Sequence, residues 1–414
     1  MFKQKLKSFL PHLRHEVWIL AAGRLLSQIG TGFTLFYAPI FFVNQVGFSA
    51  TAVGIALGSS SISGVVGRFL GGAFSDSQFW GRRGTLLLSA AVSALADLVL
   101  ALTYNFPTLV LGNLLMGLGI GLYWPATEAA VADLTTSQER NEAFAVTRLA
   151  DSLGLGIGVI LGGALIATSG NYRLLFVIDG ISFVVFFAII YFAIAETYHF
   201  LEDEQQANQG WVTALSDQRL ILFVLVNILF TTYMAQIHST IPLYFSNFVS
   251  IKDSITGLSP TIISSLFTWH IALAVLLQLP VVRFLSRWSR SRALSFSLLI
   301  WAGGFILVWV TGVASMGHLI WAILALGILA IATVSYTSFA VALVVDLAPE
   351  SMRGVYLAIN AQCWAIGYFI GPSLGGWALD QSPYIVHGFW LIVAASVVIG
   401  MLILQYLDRV FKSS

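Results

Sequence analysis

The sequence predicts an all-α polytopic membrane protein, twelve transmembrane helices in two pseudo-symmetric six-helix bundles, on three observations. Of its 414 residues 58% are hydrophobic and only 9% charged, with a mean hydropathy of +0.87. A water-soluble fold cannot bury that much apolar surface. The apolar residues fall into twelve runs, each near the roughly 20 residues a helix needs to cross a hydrocarbon core about 30 Å thick. The last six runs also repeat features of the first six at a fixed offset.

The runs cover residues 17–43, 53–74, 85–102, 107–131, 143–167 and 174–195, then 220–245, 260–285, 293–313, 319–345, 355–379 and 388–407. They are too long and too uniformly apolar for the alternating strands of a membrane β-barrel. Threading them with the N-terminus inside leaves Arg173 and Lys252 alone on the outer side. The other Lys and Arg residues fall at cytoplasmic ends, among them Lys3, Lys5, Lys7 and Arg14 before span 1, and Arg283, Arg287, Arg290 and Arg292 after span 8. By the positive-inside rule both termini are then cytoplasmic, and the basic start leads into a retained span rather than a cleaved signal.

Residues 196–219 hold five acids against one Arg and read as a cytoplasmic linker between an N-terminal bundle, 1–195, and a C-terminal bundle, 220–414. "DLTTSQER" (Asp133 to Arg140) and "DLAPESMR" (Asp346 to Arg353) are offset by 213 residues, and the same offset carries "GLGIGVILGG" onto "GYFIGPSLGG". Gly154, Gly158 and Gly162 thereby match Gly367, Gly371 and Gly375, small residues every fourth position that let membrane helices approach closely. Pro372 stands in the second copy only and predicts a bend in span 11.

A parallel six-span duplication is one known plan of secondary transporters, and over its whole length the chain resembles the major facilitator superfamily. "GGAFSDSQFWGRRG" between spans 2 and 3 resembles that superfamily's signature through Gly72, Asp76, Gly81, Arg82 and Arg83, with four residues between Asp76 and Gly81 where the family has two. The resemblance implies a cytoplasmic latch of these residues with Asp133, Arg140, Asp346 and Arg353. The basic cluster after span 8 lacks the Asp and reads as an orientation anchor. The organisation resembles the multidrug-efflux, drug/proton antiporter type, although Asn113 replaces the family's span 4 arginine and Val159 its span 5 proline.

Ionisable residues at membrane depth are functional candidates. Asp151 is the first candidate for proton coupling and Glu128 the second; Arg148, three residues from Asp151 on one helical face, can neutralise it. Arg24 and Arg68 lie within reach of the cytoplasmic interface and can snorkel. Asp97 and Asp179 are further proton-coupling candidates, but the resemblance places them on bracing helices 3 and 6, where a structural role is the stronger expectation unless they turn inward. Candidates for lining a substrate cavity are Gln28, Tyr37, Asn113, Tyr123, Trp124, Tyr233, Gln236, His238, Tyr336, Asn360 and Gln362, polar or aromatic but mostly uncharged.

The function implied is secondary active transport of a small amphipathic molecule across the plasma (inner) membrane by alternating access, as proton-coupled efflux. The alternative is symport or facilitation of a specific metabolite such as a sugar or organic acid. An intramembrane enzyme or sensor is disfavoured, because no catalytic constellation and no soluble domain stand in the sequence. The expected partners are a small-molecule substrate, a proton or other coupling ion and the lipid bilayer, and the chain is expected to be a monomer. A net charge of +1 points to no nucleic acid. Cys363 alone gives no intrachain disulfide, and neither metal spacing nor a P-loop is present, so no cofactor is expected.

Overall fold

The structure is a computed structural model that describes residues 13–136, 139–197, 213–249, 257–349 and 353–412. Among them every regular element is helical: α1 (His15–Leu35), α2 (Ala50–Ser75), α3 (Gly81–Ala101), α4 (Phe106–Asp133), α5 (Arg140–Ser169), α6 (Arg173–Ala193), α7 (Gln218–His238), α8 (Pro260–Leu285), α9 (Arg290–Val313), α10 (His318–Leu347), α11 (Arg353–Leu379) and α12 (Pro383–Lys412). Eleven membrane-crossing helices are long and apolar enough among the described residues. The remaining one, α11, has 27 residues, enough to span by length, but carries Asn360, Gln362 and five glycines.

Two expected spans are broken, and proline explains both. A proline removes the hydrogen bond to the carbonyl four residues earlier. Pro39 stands four after Leu35, where α1 ends; Pro242 stands four after His238, where α7 ends. After each stop the chain resumes, as a short α turn and a π turn to Gln45 in span 1, and as the helix Thr240–Phe248 in span 7. By contrast α11 runs unbroken through Pro372, and α4 and α8 through Pro125 and Pro280.

The helices cluster into two compact units, and the division cuts α2. Unit one holds the described residues up to Leu35 and from Ile62 to the linker; unit two holds Phe36 to Ser61 and the described residues beyond the linker. In unit one α1 packs on α5 and α6, and α3 on α4 and α6; in unit two α7 packs on α11 and α12, and α9 on α10 and α12. The second unit thus repeats the helix pairings of the first, as a duplication requires.

The glycine stripes lie at these repeated contacts. A Cβ added to Gly154 would stand 2.8 Å from the Gln28 Cβ, and one on Gly158 2.9 Å from the Gly32 Cα, so α5 meets α1 backbone to backbone. In unit two an added Cβ at Gly367 would stand 2.6 Å from Thr232 N, and at Gly371 2.7 Å from the Ala235 Cβ. Gly375 faces Gln236 and Thr240 in the same way. Gly162 is buried. Leu276, Leu279, Ile320 and Ile392 are each more than 60% exposed, an apolar surface that suits lipid rather than water.

Candidate functional site

The buried charges of the described residues concentrate in unit one. Arg24, in the middle of α1, is 2% exposed. Its Nε donates to Asp151 Oδ1 at 2.9 Å and its Nη2 to Asp151 Oδ2, a two-pronged match between a planar guanidinium and a carboxylate. The expectation that Arg24 snorkels and that Arg148 neutralises Asp151 is thereby corrected: Arg148 is exposed, and the partner of Asp151 comes from 127 residues earlier. Parallel packing produces this meeting. With Gly154 against Gln28 and Gly158 against Gly32, Asp151, one turn before Gly154, stands level with Arg24.

Around this pair α4 supplies Tyr123 and Trp124, whose ring centres lie 5.8 and 5.1 Å from the Arg24 guanidinium carbon. Both rings are half-buried and offer cation–π contact. Glu128, one turn further along α4, is exposed. Gln28, also half-buried, completes the α1 face of this cluster. Asn113 lies away from it, buried, with its amide donating to the Leu109 carbonyl at 2.9 Å within α4.

Asp97 and Asp179 form a second group, on α3 and α6, buried to 0% and 1% exposure. Asp179 Oδ2 accepts a hydrogen bond from Thr34 Oγ1 at 3.1 Å. Among the described residues neither oxygen of Asp97 has a hydrogen-bond partner.

Unit two is polar but uncharged at depth. Asn227 Nδ2 donates to Asn360 Oδ1 at 2.7 Å, and the Tyr336 hydroxyl donates to Asn227 Oδ1 at 2.7 Å. Tyr233 shares a hydrogen bond with Ser396, and Gln236 Nε2 donates to the Gly371 carbonyl. Of the expected lining residues here, Tyr233, Gln236, Tyr336 and Asn360 are therefore buried and engaged with protein, and Tyr37 is 0% exposed. His238 and Gln362 remain half-buried. His238 Nδ1 pairs with the Tyr368 hydroxyl at 2.9 Å, and Tyr368 and Trp364 continue a ladder of rings from Tyr336.

At the turn between α2 and α3 the signature residues close on one another. Arg82 pairs with Asp76 and with Asp133, and donates to the Ser75 carbonyl at 2.6 Å. Gly81 adopts a φ of +61°, which glycine alone takes without strain. Glu196 then caps α3, accepting from Arg82 N at 2.9 Å and Arg83 N at 3.1 Å. The Arg83 guanidinium lies 5.2 Å from the Tyr191 ring, while Gly72 has open space around it. Glu196, which the sequence places at the start of the linker, is brought to the α3 start only by the fold, where an acid suits the positive end of the helix. In unit two Arg290 pairs with Asp346 at 3.3 Å, so the basic cluster after span 8 does find an acid, the duplicate of Asp133. The side chains of Arg140 and Arg353 lie outside the described set.

Twelve spans built as a parallel repeat, with charges buried at membrane depth in one half, define a polytopic membrane protein of the secondary-transporter plan. The model of the Major Facilitator Superfamily matches residues 20–253 and 244–413. The chain belongs to that superfamily. A Na+, Li+, K+/H+ antiporter of Planococcus maritimus is 26% identical over 398 residues, covering 88% of this chain and 90% of that protein. The multidrug resistance protein MdtH of Photorhabdus laumondii is 25% identical over 407 residues, covering 95% and 94%. Among solved structures the nucleoside transporter NupG superposes with a TM-score of 0.75 at 16% identity, over 96% of this chain and all of that one. A mutant of the peptide transporter POT with alafosfalin gives 0.77 at 16% identity, over 98% of each.

Proposed function

We propose that this transporter exports a small amphipathic compound in exchange for protons, with the Arg24–Asp151 pair and its neighbours Tyr123, Trp124 and Glu128 as the coupling site. The observation that carries this reading is the bidentate pair itself, an ion pair buried between α1 and α5. Removing one charge from a buried pair costs about 3–5 kcal/mol. Protonation of Asp151 therefore releases Arg24, and the freed guanidinium competes with a ligand for the rings of Tyr123 and Trp124. The relatives named as a multidrug resistance protein and as a cation/proton antiporter support the same reading. The distribution of Lys and Arg supports an inner-membrane protein with both termini cytoplasmic.

The test is flux of a lipophilic dye in proteoliposomes with and without an imposed pH gradient. Wild type moves dye only with the gradient, and Asp151→Asn loses the dependence. Because that variant strands Arg24, Arg24→Gln/Asp151→Asn is measured beside it as a neutral pair. Flux indifferent to both gradient and substitutions sinks the proposal.

A further inference from the structure

A second set of acids lies apart from the Arg24 cluster. Asp97 stands four residues before the end of α3, and Asp179 is the seventh residue of α6. A Cβ added to Gly180 would lie 3.3 Å from the Asp97 Cβ, so the two helices meet with Asp97 beside Asp179. From α1, Thr34 Oγ1 donates to Asp179 Oδ2 at 3.1 Å, and within α6 Ser182 Oγ lies 3.4 Å from Oδ1. Gly30 keeps the space open, since a Cβ there would press on Ser182 Oγ and the Asp179 carboxyl.

What the group lacks is a counter-charge. No ion pair among the described residues involves either acid. Arg173, at the start of α6, instead donates to the Ala101 and Thr103 carbonyls and lies over the Tyr104 ring. Both Asp97 oxygens are buried and unpartnered. Two carboxylates cannot both stay ionised in such a place. Electroneutrality there requires two protons, one proton and one monovalent cation, two monovalent cations, or one divalent cation.

We infer that Asp97 and Asp179, with the Thr34 and Ser182 hydroxyls, bind one small hard monovalent cation, Na+ or Li+, in exchange for one proton. The donors are all oxygen, the set that hard cations prefer and soft transition metals do not. A small divalent ion sheds its water reluctantly, whereas entry of a monovalent ion against departure of a proton leaves the charge of the site unchanged. The inference stands apart from the export reading, because binding requires no organic substrate.

The test uses the full-length protein in detergent, weakly buffered, with a pH indicator. Addition of NaCl or LiCl releases about one proton per chain, as cation binding to protonated ligands must. Choline chloride releases none. Asp97→Asn and Asp179→Asn, near-isosteric with the protonated acids, cut the release at least tenfold, and the exposed Asp346→Asn leaves it whole. Thr34→Val raises the half-saturating Na+ concentration with the stoichiometry kept. The inference is overturned if neither ion releases a proton from wild type, if choline does so equally, if only Mg2+ or Ca2+ does so, or if both Asn variants retain the release. The wild-type titration decides even if a variant fails to fold, and its failure would leave gradient-driven dye export untouched.

Discussion

Replacing Asp380 with alanine removes three hydrogen bonds from the start of α2. Asp380 follows the last residue of α11 and accepts from Ala50 N at 2.9 Å, Thr51 N at 2.7 Å and Thr51 Oγ1 at 2.5 Å. Ser49 Oγ takes the Ala52 amide at 3.1 Å, so three of the amides a helix start leaves orphaned are satisfied. A lost cap costs about 1 kcal/mol, and an exposed carboxylate at a helix N-terminus adds a few tenths. With two amides released together, the sum is about 2 kcal/mol, or roughly 30-fold in the equilibrium that holds α2 to α11. Asp380→Asn keeps one acceptor oxygen and should show about half that free energy, roughly fivefold. The assay is labelling of Val53→Cys, a position 1% exposed, by a membrane-impermeant maleimide in a Cys363→Ser background. Asp380→Ala should speed labelling roughly 30-fold and Asp380→Asn roughly fivefold. Equal rates in all three would refute the claim that this cap holds the start of α2 in place.

Further expectations concern stability and specificity. In thermal unfolding, Arg24→Gln and Asp151→Asn each lose about 3–5 kcal/mol, and the double variant loses clearly less than their sum, because neither charge is then stranded. Tyr336→Phe leaves Asn227 Oδ1 without its donor and lowers stability by about 1–3 kcal/mol; if it instead alters which dye is carried and leaves the melting point alone, Tyr336 contacts substrate. Glu196→Ala uncaps α3 and costs about 1 kcal/mol, read as a lower melting temperature that Glu196→Gln restores in part. Gly158→Leu drives a side chain into the Gly32 backbone and abolishes folding, whereas Gly303→Leu, with nothing within 4 Å, is tolerated in the same expression and melting assay.

Sequence patterns carry the spans well because each is a local property. Length and hydropathy identify a crossing helix one run at a time, and the 213-residue offset pairs the halves without reference to any contact. Local rules also contained the breaks in spans 1 and 7, since Pro39 and Pro242 each strip the carbonyl at which a helix ends. The partner of Asp151 was not legible in this way. Spacing along one helix offered Arg148, but membrane charges are matched between helices, and only the parallel register set by Gly154 and Gly158 brings Arg24 level with Asp151. Asp380 and Glu196 escaped for the same reason, as each caps a helix remote from it in sequence.

The repeat also exposes a division of chemistry. The α7–α11 contact of unit two corresponds to the α1–α5 contact of unit one, glycine stripe for glycine stripe. Where unit one inserts Arg24 and Asp151, unit two has Asn227, Asn360 and Tyr336, whose donors and acceptors match without any charge. An amide network does not change when the local proton or cation concentration changes, whereas a guanidinium–carboxylate pair and two unpaired carboxyls do. A coupled transporter needs one element whose energy follows the ion, and a second element indifferent to the ion gives the first something fixed to work against. Duplication supplied two similarly paired bundles, and the proposed coupling rests on the first, where Arg24, Asp97 and Asp179 are buried and Asp151 half-buried.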